Sequence, residues 1–400
     1  MSNSYLNITA VTNKALMILE NQLVLTRNVN REYDDSYAQE GGKIGDSIKI
    51  RLPHRSTVVT GAALGAFDVS EQSVTLQVAT QAHVDLNFTT VERALNIDQF
   101  SERYLAPRIS QLASYVDYDV CANVYKDIYN SVGTPGTTPS TSKVLLDAQQ
   151  KLNEFAAGQD PRYATVNPAA NAGLVEGMKG FFNPGGTISK QFKSGMMGED
   201  VLGYREIAMS QSMPTHTTGT WGTTITSTST VSVQGQATLD ISFTGTGSTW
   251  KKGDVFTIGS VFAVNPQTRV STGSLQQFVV TANLTATTTG TLAISPAIYT
   301  TGALQNVDSF PQATAVVTMF GSATTAYPQN LVYHRDAIAF ATVDLVLPKG
   351  VDMGARANHN GLALRIISDY DINNDKLPTR IDILYGYKLI RPEMAVRMWG

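Results

Sequence analysis

At 400 residues the chain has room for about two or three domains. Its 42% apolar content supplies a core, while 16% charge lies below the roughly one quarter usual in soluble domains. Thirty basic against 33 acidic side chains exclude a polybasic nucleic-acid binder and a long acidic tail, and a lone cysteine, Cys121, excludes an intramolecular disulfide and any two-thiolate zinc site.

No run approaches 18 consecutive apolar residues, and Met1-Ser2-Asn3-Ser4-Tyr5 lacks the basic and apolar regions of a signal peptide. The expectation is a soluble protein made in a reducing cytoplasm. Along the chain, Ala10–Leu25 sets Leu16, Leu19 and Leu23 on one helical stripe. After a polar stretch at 28–45, Ile48, Ile50 and Leu52 alternate with Ser47, Lys49 and Arg51, as in a half-buried strand.

Ser73–Thr89 alternates over a much longer distance. Even positions from 74 to 88 read Val74, Leu76, Val78, Thr80, Ala82, Val84, Leu86 and Phe88, and Ala79 alone breaks the polar face between them. A continuous strand of this length would reach about 50 Å, against the usual five or six residues. Paired with 46–60 through Gly61–Phe67 it makes a two-stranded ribbon, which is not stable alone in water. Its apolar face needs a cover, expected from a second subunit; the alternative is a hairpin curling over its own domain.

Helices follow. One turn set is expected at Asp98–Leu105, and Pro107 then opens a helix marked by Ile109, Leu112, Val116, Val120, Val124 and Ile128. The spacing predicts about 25 residues, near 36 Å, stopped by Gly133-Thr134-Pro135-Gly136. A further helix is predicted over Ser142–Ala157, a strand over Tyr163–Val166, and a short helix opened by Asn167-Pro168 and running to Met178. The tail predicts strands over Ala337–Leu347, Leu362–Ile367 and Arg380–Tyr387.

Between these parts lies a compositional island. Residues 207–334 hold six of the 63 charged residues, Asp240, Lys251, Lys252, Asp254, Arg269 and Asp308, and are rich in Thr and Ser. Ala237–Phe243, Asp254–Ile258, Gln277–Thr281 and Thr291–Ile294 read as short strands with turn residues between them. A small barrel or sandwich is expected, against the alternative of a disordered linker. The class is α+β with an inserted β module.

Catalytic motifs are missing from the sequence: no phosphate-binding GxxxxGK[ST], no G-x-S-x-G, no H-E-x-x-H and no C-x-x-C. His54, His83, His216, His334 and His359 lack ligand spacing and read as surface or interface side chains. Cys121 adjoins an apolar stripe and reads as a buried thiol. Asp371, Asn373, Asp375 and Asp382 follow calcium-loop spacing, but Lys376 replaces the required glycine and Pro378 interrupts it, so a solvated turn is expected.

Val29-Asn30-Arg31-Glu32-Tyr33 and Gly42-Lys43-Ile44-Gly45-Asp46-Ser47-Ile48-Lys49-Ile50-Arg51-Leu52-Pro53 resemble the N-terminal arm and extended-loop strand of tailed-phage major capsid proteins. The nearest branch is the coat proteins of short-tailed phages of the Salmonella phage twenty-two type. Glu199-Asp200-Val201-Leu202, Met213–Thr220, Trp250–Phe256, Ile294-Ser295-Pro296, Tyr385-Gly386 and Arg391-Pro392-Glu393 continue the likeness in order to the end of the chain.

The resemblance implies an α+β, Hong Kong 97 type capsid fold with an extended β-hairpin arm, a long spine helix and an inserted all-β domain. Mapped here, 1–40 is the arm, 41–92 the extended loop and 93–133 the peripheral domain with its spine helix. The axial domain is 134–216 with a return at 323–345, interrupted by the insertion at 217–322; 346–400 supplies C-terminal peripheral strands. The Thr-rich insertion looks shorter than in relatives, which leaves its topology open.

The implied function is a major capsid protein, not an enzyme and without cofactor or metal. It self-assembles through hexameric and pentameric capsomers into an icosahedral virion shell. A scaffolding protein and a portal are the expected partners, and the shell encloses double-stranded DNA without specific binding and without a membrane, after assembly in the host cytoplasm. Expected inter-subunit contacts are the ribbon residues Val74, Leu76, Val78, Val84, Leu86 and Phe88, and the basic cluster Lys43, Lys49, Arg51 and Arg55. That cluster docks on Asp117, Asp119 or Asp127 of a neighbour, or else forms a solvated face. A phage tail or decoration protein and a secreted Ser/Thr-rich adhesin are the alternative functions.

Overall fold

The computed structural model describes residues 8–31, 45, 47–56, 58, 61–62, 71–89, 105–178, 198–228, 231–245, 247–351, 353–373 and 376–400. Lys43, the helix expected up to Leu105 and most of the Gly61–Phe67 connection lie outside them. The chain divides into two units, the first made of 1–50, 73–120 and 338–388, the second of 51–72, 121–337 and 389–400. Residues 51–72 and 389–400 thus group with the second unit, apart from the extended loop and peripheral strands to which the sequence assigned them.

The first unit is organised by a strand of 14 residues, Lys376–Leu389. Along one edge runs Thr80–Thr89, antiparallel, in register from Lys376 opposite Thr89 to Tyr385 opposite Thr80. Leu362–Ser368 also pairs with it, and Met353–His359 pairs in turn with Leu362–Ser368. The helix Ile8–Gln22 packs on these last two strands through Val11, Ala15, Leu16 and Leu19, the stripe visible in the sequence. A second, short helix, Leu25–Asn28, leads to Asn30, whose N–H and C=O bond to the Ile338 C=O and Phe340 N–H at 3.1 and 3.0 Å.

The long alternating segment is two strands, not one. Ser73–Gln77 pairs with Ser47–Arg51, and after a break at 78–79 Thr80–Thr89 joins the larger sheet. Gly386 makes room for the break, since a Cβ there would lie 2.3 Å from the Gln77 carbonyl oxygen. Leu76, Val78 and Leu86 are buried within the chain and Val74 and Val84 partly so. Leu76, Val78 and Leu86 thus find cover within the chain rather than only from a second subunit, and the strand beside Thr80–Thr89 is Lys376–Leu389, some three hundred positions away. The Phe88 side chain lies outside the described residues.

The spine helix is shorter than expected. It spans Ala106–Val124, 19 residues or roughly 28 Å, then tightens into a 3-10 turn at Tyr125–Asp127. Ile128 is extended, and Ser131–Val132 forms a strand parallel to Ala395–Met398. The apolar periodicity ran on because Ile128 and Tyr129 are buried too, past the helix end.

In the second unit a six-stranded sheet has the spatial order Ser131–Val132, Ala395–Met398, Leu331–His334, Arg162–Val166, Tyr204–Met209 and Gly198–Val201. Helix Ser142–Glu154 packs on it, and Pro168–Gly177 starts as predicted, with the Asn167 side chain accepting the Ala170 N–H. The Thr-rich segment is an ordered barrel. Thr223–Ser227 pairs with Gln236–Thr244, which pairs with Thr289–Ile298, followed by Ser271–Val280, Val255–Val264 and Val317–Met319. A bridge from Thr226 to Val316, with the Ser227 N–H on the Ala315 carbonyl, closes the ring. Closure removes exposed edges. Leu239, Ile241, Phe243, Trp250, Phe256, Phe278 and Leu292 fill the interior, so Thr needs only to cover the outside.

Candidate assembly interface

The basic residues expected at an interface do not share one environment. Lys49 is exposed on Ser47–Arg51. The Arg51 guanidinium is 3.5 Å from Glu71, with both side chains largely in solvent. Arg55 is turned inward: its Nη2 donates to Glu393 Oε1 at 3.0 Å, and Arg391 Nε donates to the same oxygen at 3.2 Å. These three side chains line a cavity of about 300 Å³ with Pro53, Tyr129 and Tyr299. Arg55 is therefore ion-paired within its own chain.

The three acids of the spine segment are also committed to varying degrees. Asp117 is buried and accepts the Val24 N–H at 2.6 Å, the Thr26 N–H at 3.1 Å and the Thr26 hydroxyl at 2.6 Å. It is an anchor for the N-terminal segment, which corrects its expected exposure to a neighbour. Burial pushes its carboxyl above the ordinary range against the pull of the Thr26 hydroxyl and the backbone N–H groups. Asp119 is partly exposed and accepts the Tyr385 hydroxyl at 2.9 Å. Asp127, also partly exposed, meets Lys252 at 2.7 Å.

The calcium-loop spacing does not assemble. Asp371 accepts the Asn373 N–H, while Asp382, fully buried, receives Arg365 and Arg380 at 2.7 and 2.6 Å. Two guanidiniums therefore satisfy the carboxylate that the spacing offered to a cation. Asp375 lies outside the described residues, and among those described no group of three acids, histidines or cysteines converges on a metal position.

Sequence reasoning missed a buried polar seam in the second unit. His216 Nε2 lies 2.8 Å from Asp254 Oδ1, and its Nδ1 lies 3.0 Å from the Tyr125 hydroxyl. Asp254 Oδ2 accepts the N–H groups of Lys251 and Gly219 at 2.8 and 3.2 Å. Arg397 Nη1 donates to the Gly253 carbonyl at 2.7 Å and its guanidinium faces the Tyr125 ring at 5.3 Å. Nearby, the Gln277 side chain exchanges hydrogen bonds with both backbone groups of Ser131. One signal was available: Asp254 is among the few charges that the Thr-rich island contains.

The chain matches the model of the P22 coat protein, gene protein 5, over residues 1–400. It belongs to that family. Membership brings the Hong Kong 97 type fold that the resemblance implied, and the α+β class with a long helix and an inserted all-β domain is what the structure shows. The chain is a bacteriophage major capsid protein, a structural subunit of an icosahedral shell.

Similar solved structures include a chain of Mycobacterium phage Che8, 13% identical, covering 94% of this chain and 90% of that one, with TM-score 0.47. The capsid of Cyanophage P-SCSP1u is 11% identical, with 90% and 84% covered and TM-score 0.42. The mature capsid of bacteriophage PhiM1 is 12% identical, with 90% and 82% covered and TM-score 0.41. No curated protein matches the chain.

Proposed function

We propose that this coat protein works by association alone. It forms hexameric and pentameric capsomers in the host cytoplasm, guided by a scaffolding protein and a portal, and the closed shell retains double-stranded DNA without reading its sequence. The observation that carries the proposal is the family match over the entire chain. Ring closure requires heterologous contacts, one surface of a subunit meeting a different surface of the next. Lys49 and Arg51, exposed on the extended-loop strand, are the proposed cationic side of such a contact, and the partly exposed Asp119 is the best placed acid for the other. A formal net charge of −3 suits a wall that confines DNA without gripping it, because tight binding needs clustered Lys and Arg.

Electron microscopy of the full-length protein expressed with its scaffolding partner tests the proposal. Closed spherical shells are expected. Tubes, or only dispersed monomers, would reject it in favour of a tail or accessory role.

A further inference from the structure

We propose that the His216–Asp254 pair is a proton-released latch: neutral His216 fastens the inserted barrel to the part of the second unit that carries it, and protonation of the imidazole loosens that seam. The pair sits where four separate pieces of chain meet. His216 is on Thr215–Thr217, the strand that enters the insertion and pairs with Ala326–Pro328, the strand that leaves it. Asp254 belongs to the turn before the barrel strand Val255–Val264. Tyr125 and Arg397 come from the end of the long helical segment and from the final strand.

The hydrogen-bond directions fix the proton. An ionised Asp254 can only accept, so Nε2 carries the hydrogen and Nδ1 accepts from the Tyr125 hydroxyl. That arrangement uses every polar atom of a neutral ring. A second proton, on Nδ1, would reverse the Tyr125 bond and place a full charge where His216 is only 6% exposed. The charged and titratable groups around the ring are Asp254, Lys251 and Lys252 on the turn, Tyr125, Lys126 and Asp127 beyond the helix, Arg397 on the last strand, and Tyr327 on the paired strand.

Burial sets the sign, and Arg397 adds to it. Arg397 is buried beside the ring, so a new imidazolium would face a cation already lodged in the same seam. Burial first, and then the Arg397 and Lys251 charges, hold the His216 imidazole below its ordinary range against the pull of Asp254. Little slack exists for the ring to move aside: at Gly253, where φ is +102°, even a Cβ would lie 3.1 Å from His216 Cε1. Relief must come from separation of the turn and the strand.

Amide hydrogen exchange of the full-length subunit at pH 7.5 and 5.5, corrected for the chemical rate, tests the latch. The Gly219 and Lys251 amides, which bond to Asp254, are expected to lose up to about tenfold protection, the factor by which an imidazole freed to its ordinary value of about 6.5 favours the open, protonated form at pH 5.5. Amides pairing Val255–Val264 with Ser271–Val280 inside the barrel are expected to keep theirs. His216→Gln, which can still donate to Asp254 but does not titrate, is expected to remove the pH dependence. Unchanged protection in the wild type, a loss shared equally by the barrel amides, or an identical loss in the Gln variant would each overturn the proposal. If the Gln variant does not fold, the contrast between the two wild-type amide sets decides by itself.

Discussion

The Thr26 hydroxyl donates to Asp117 Oδ1 at 2.6 Å, and the Thr26 backbone N–H reaches the same oxygen at 3.1 Å. With the Val24 N–H on Oδ2, one buried carboxylate gathers donors that the short helix Leu25–Asn28 leaves at its start. Asp117→Ala would strand these donors in the interior. The expected cost is about 3 kcal/mol, on the scale of buried donors left unpaired. Urea unfolding of the unassembled subunit measures it, and a loss under about 1 kcal/mol would show that the N-terminal segment does not depend on this anchor.

Leu76 and Leu86 separate cover by the same chain from cover by a neighbour. Both are nearly inaccessible within the chain. Leu76→Ala or Leu86→Ala is therefore expected to destabilise the isolated subunit by about 2–5 kcal/mol, the usual range for emptying a packed site. If the unassembled subunit unfolds normally and only shell formation suffers, the cover belongs to another copy.

Lys49 and Arg51 make the opposite prediction. They are exposed, and the Arg51–Glu71 pair at 3.5 Å lies in solvent, where ion pairs contribute little. Reversing both to Glu should leave subunit stability within about 0.5 kcal/mol while reducing shell yield, measured by sedimentation and microscopy. Normal yield from the doubly reversed protein removes these residues from the interface.

His334 supplies a pH dependence separate from the latch. Its imidazole is held below the ordinary range, first by burial and also by Arg162 and Arg391, against Asp336 and the Asp160 backbone. In the unfolded chain it takes a proton near its ordinary value of about 6.5. The unfolded state thus binds more protons over the interval below that value, and stability falls as pH drops through it. Urea midpoints should decrease from pH 7 to pH 5, and His334→Gln should make the decrease smaller. An equal decrease in the variant would assign the effect to other groups.

How much was legible beforehand differs by element. The stripe Leu16–Leu19–Leu23, the Asn167 cap and the strands of the Thr-rich segment are set by neighbours a few positions away, and each appears close to where its pattern placed it. The family was legible as an ordered series of short likenesses along the chain. Which basic side chains face solvent was less so, because the exposed Lys49 and the ion-paired Arg55 lie in the same short basic segment.

Periodicity therefore determined which face of each element is buried, since alternating apolar side chains must leave water whatever receives them. Tertiary structure alone decided the partners: Lys376–Leu389 beside Thr80–Thr89, Thr26 for Asp117, Tyr125 and Asp254 for His216. Those partners are brought together by folding across tens to hundreds of positions, and a local pattern holds the demand for burial without the identity of the group that meets it.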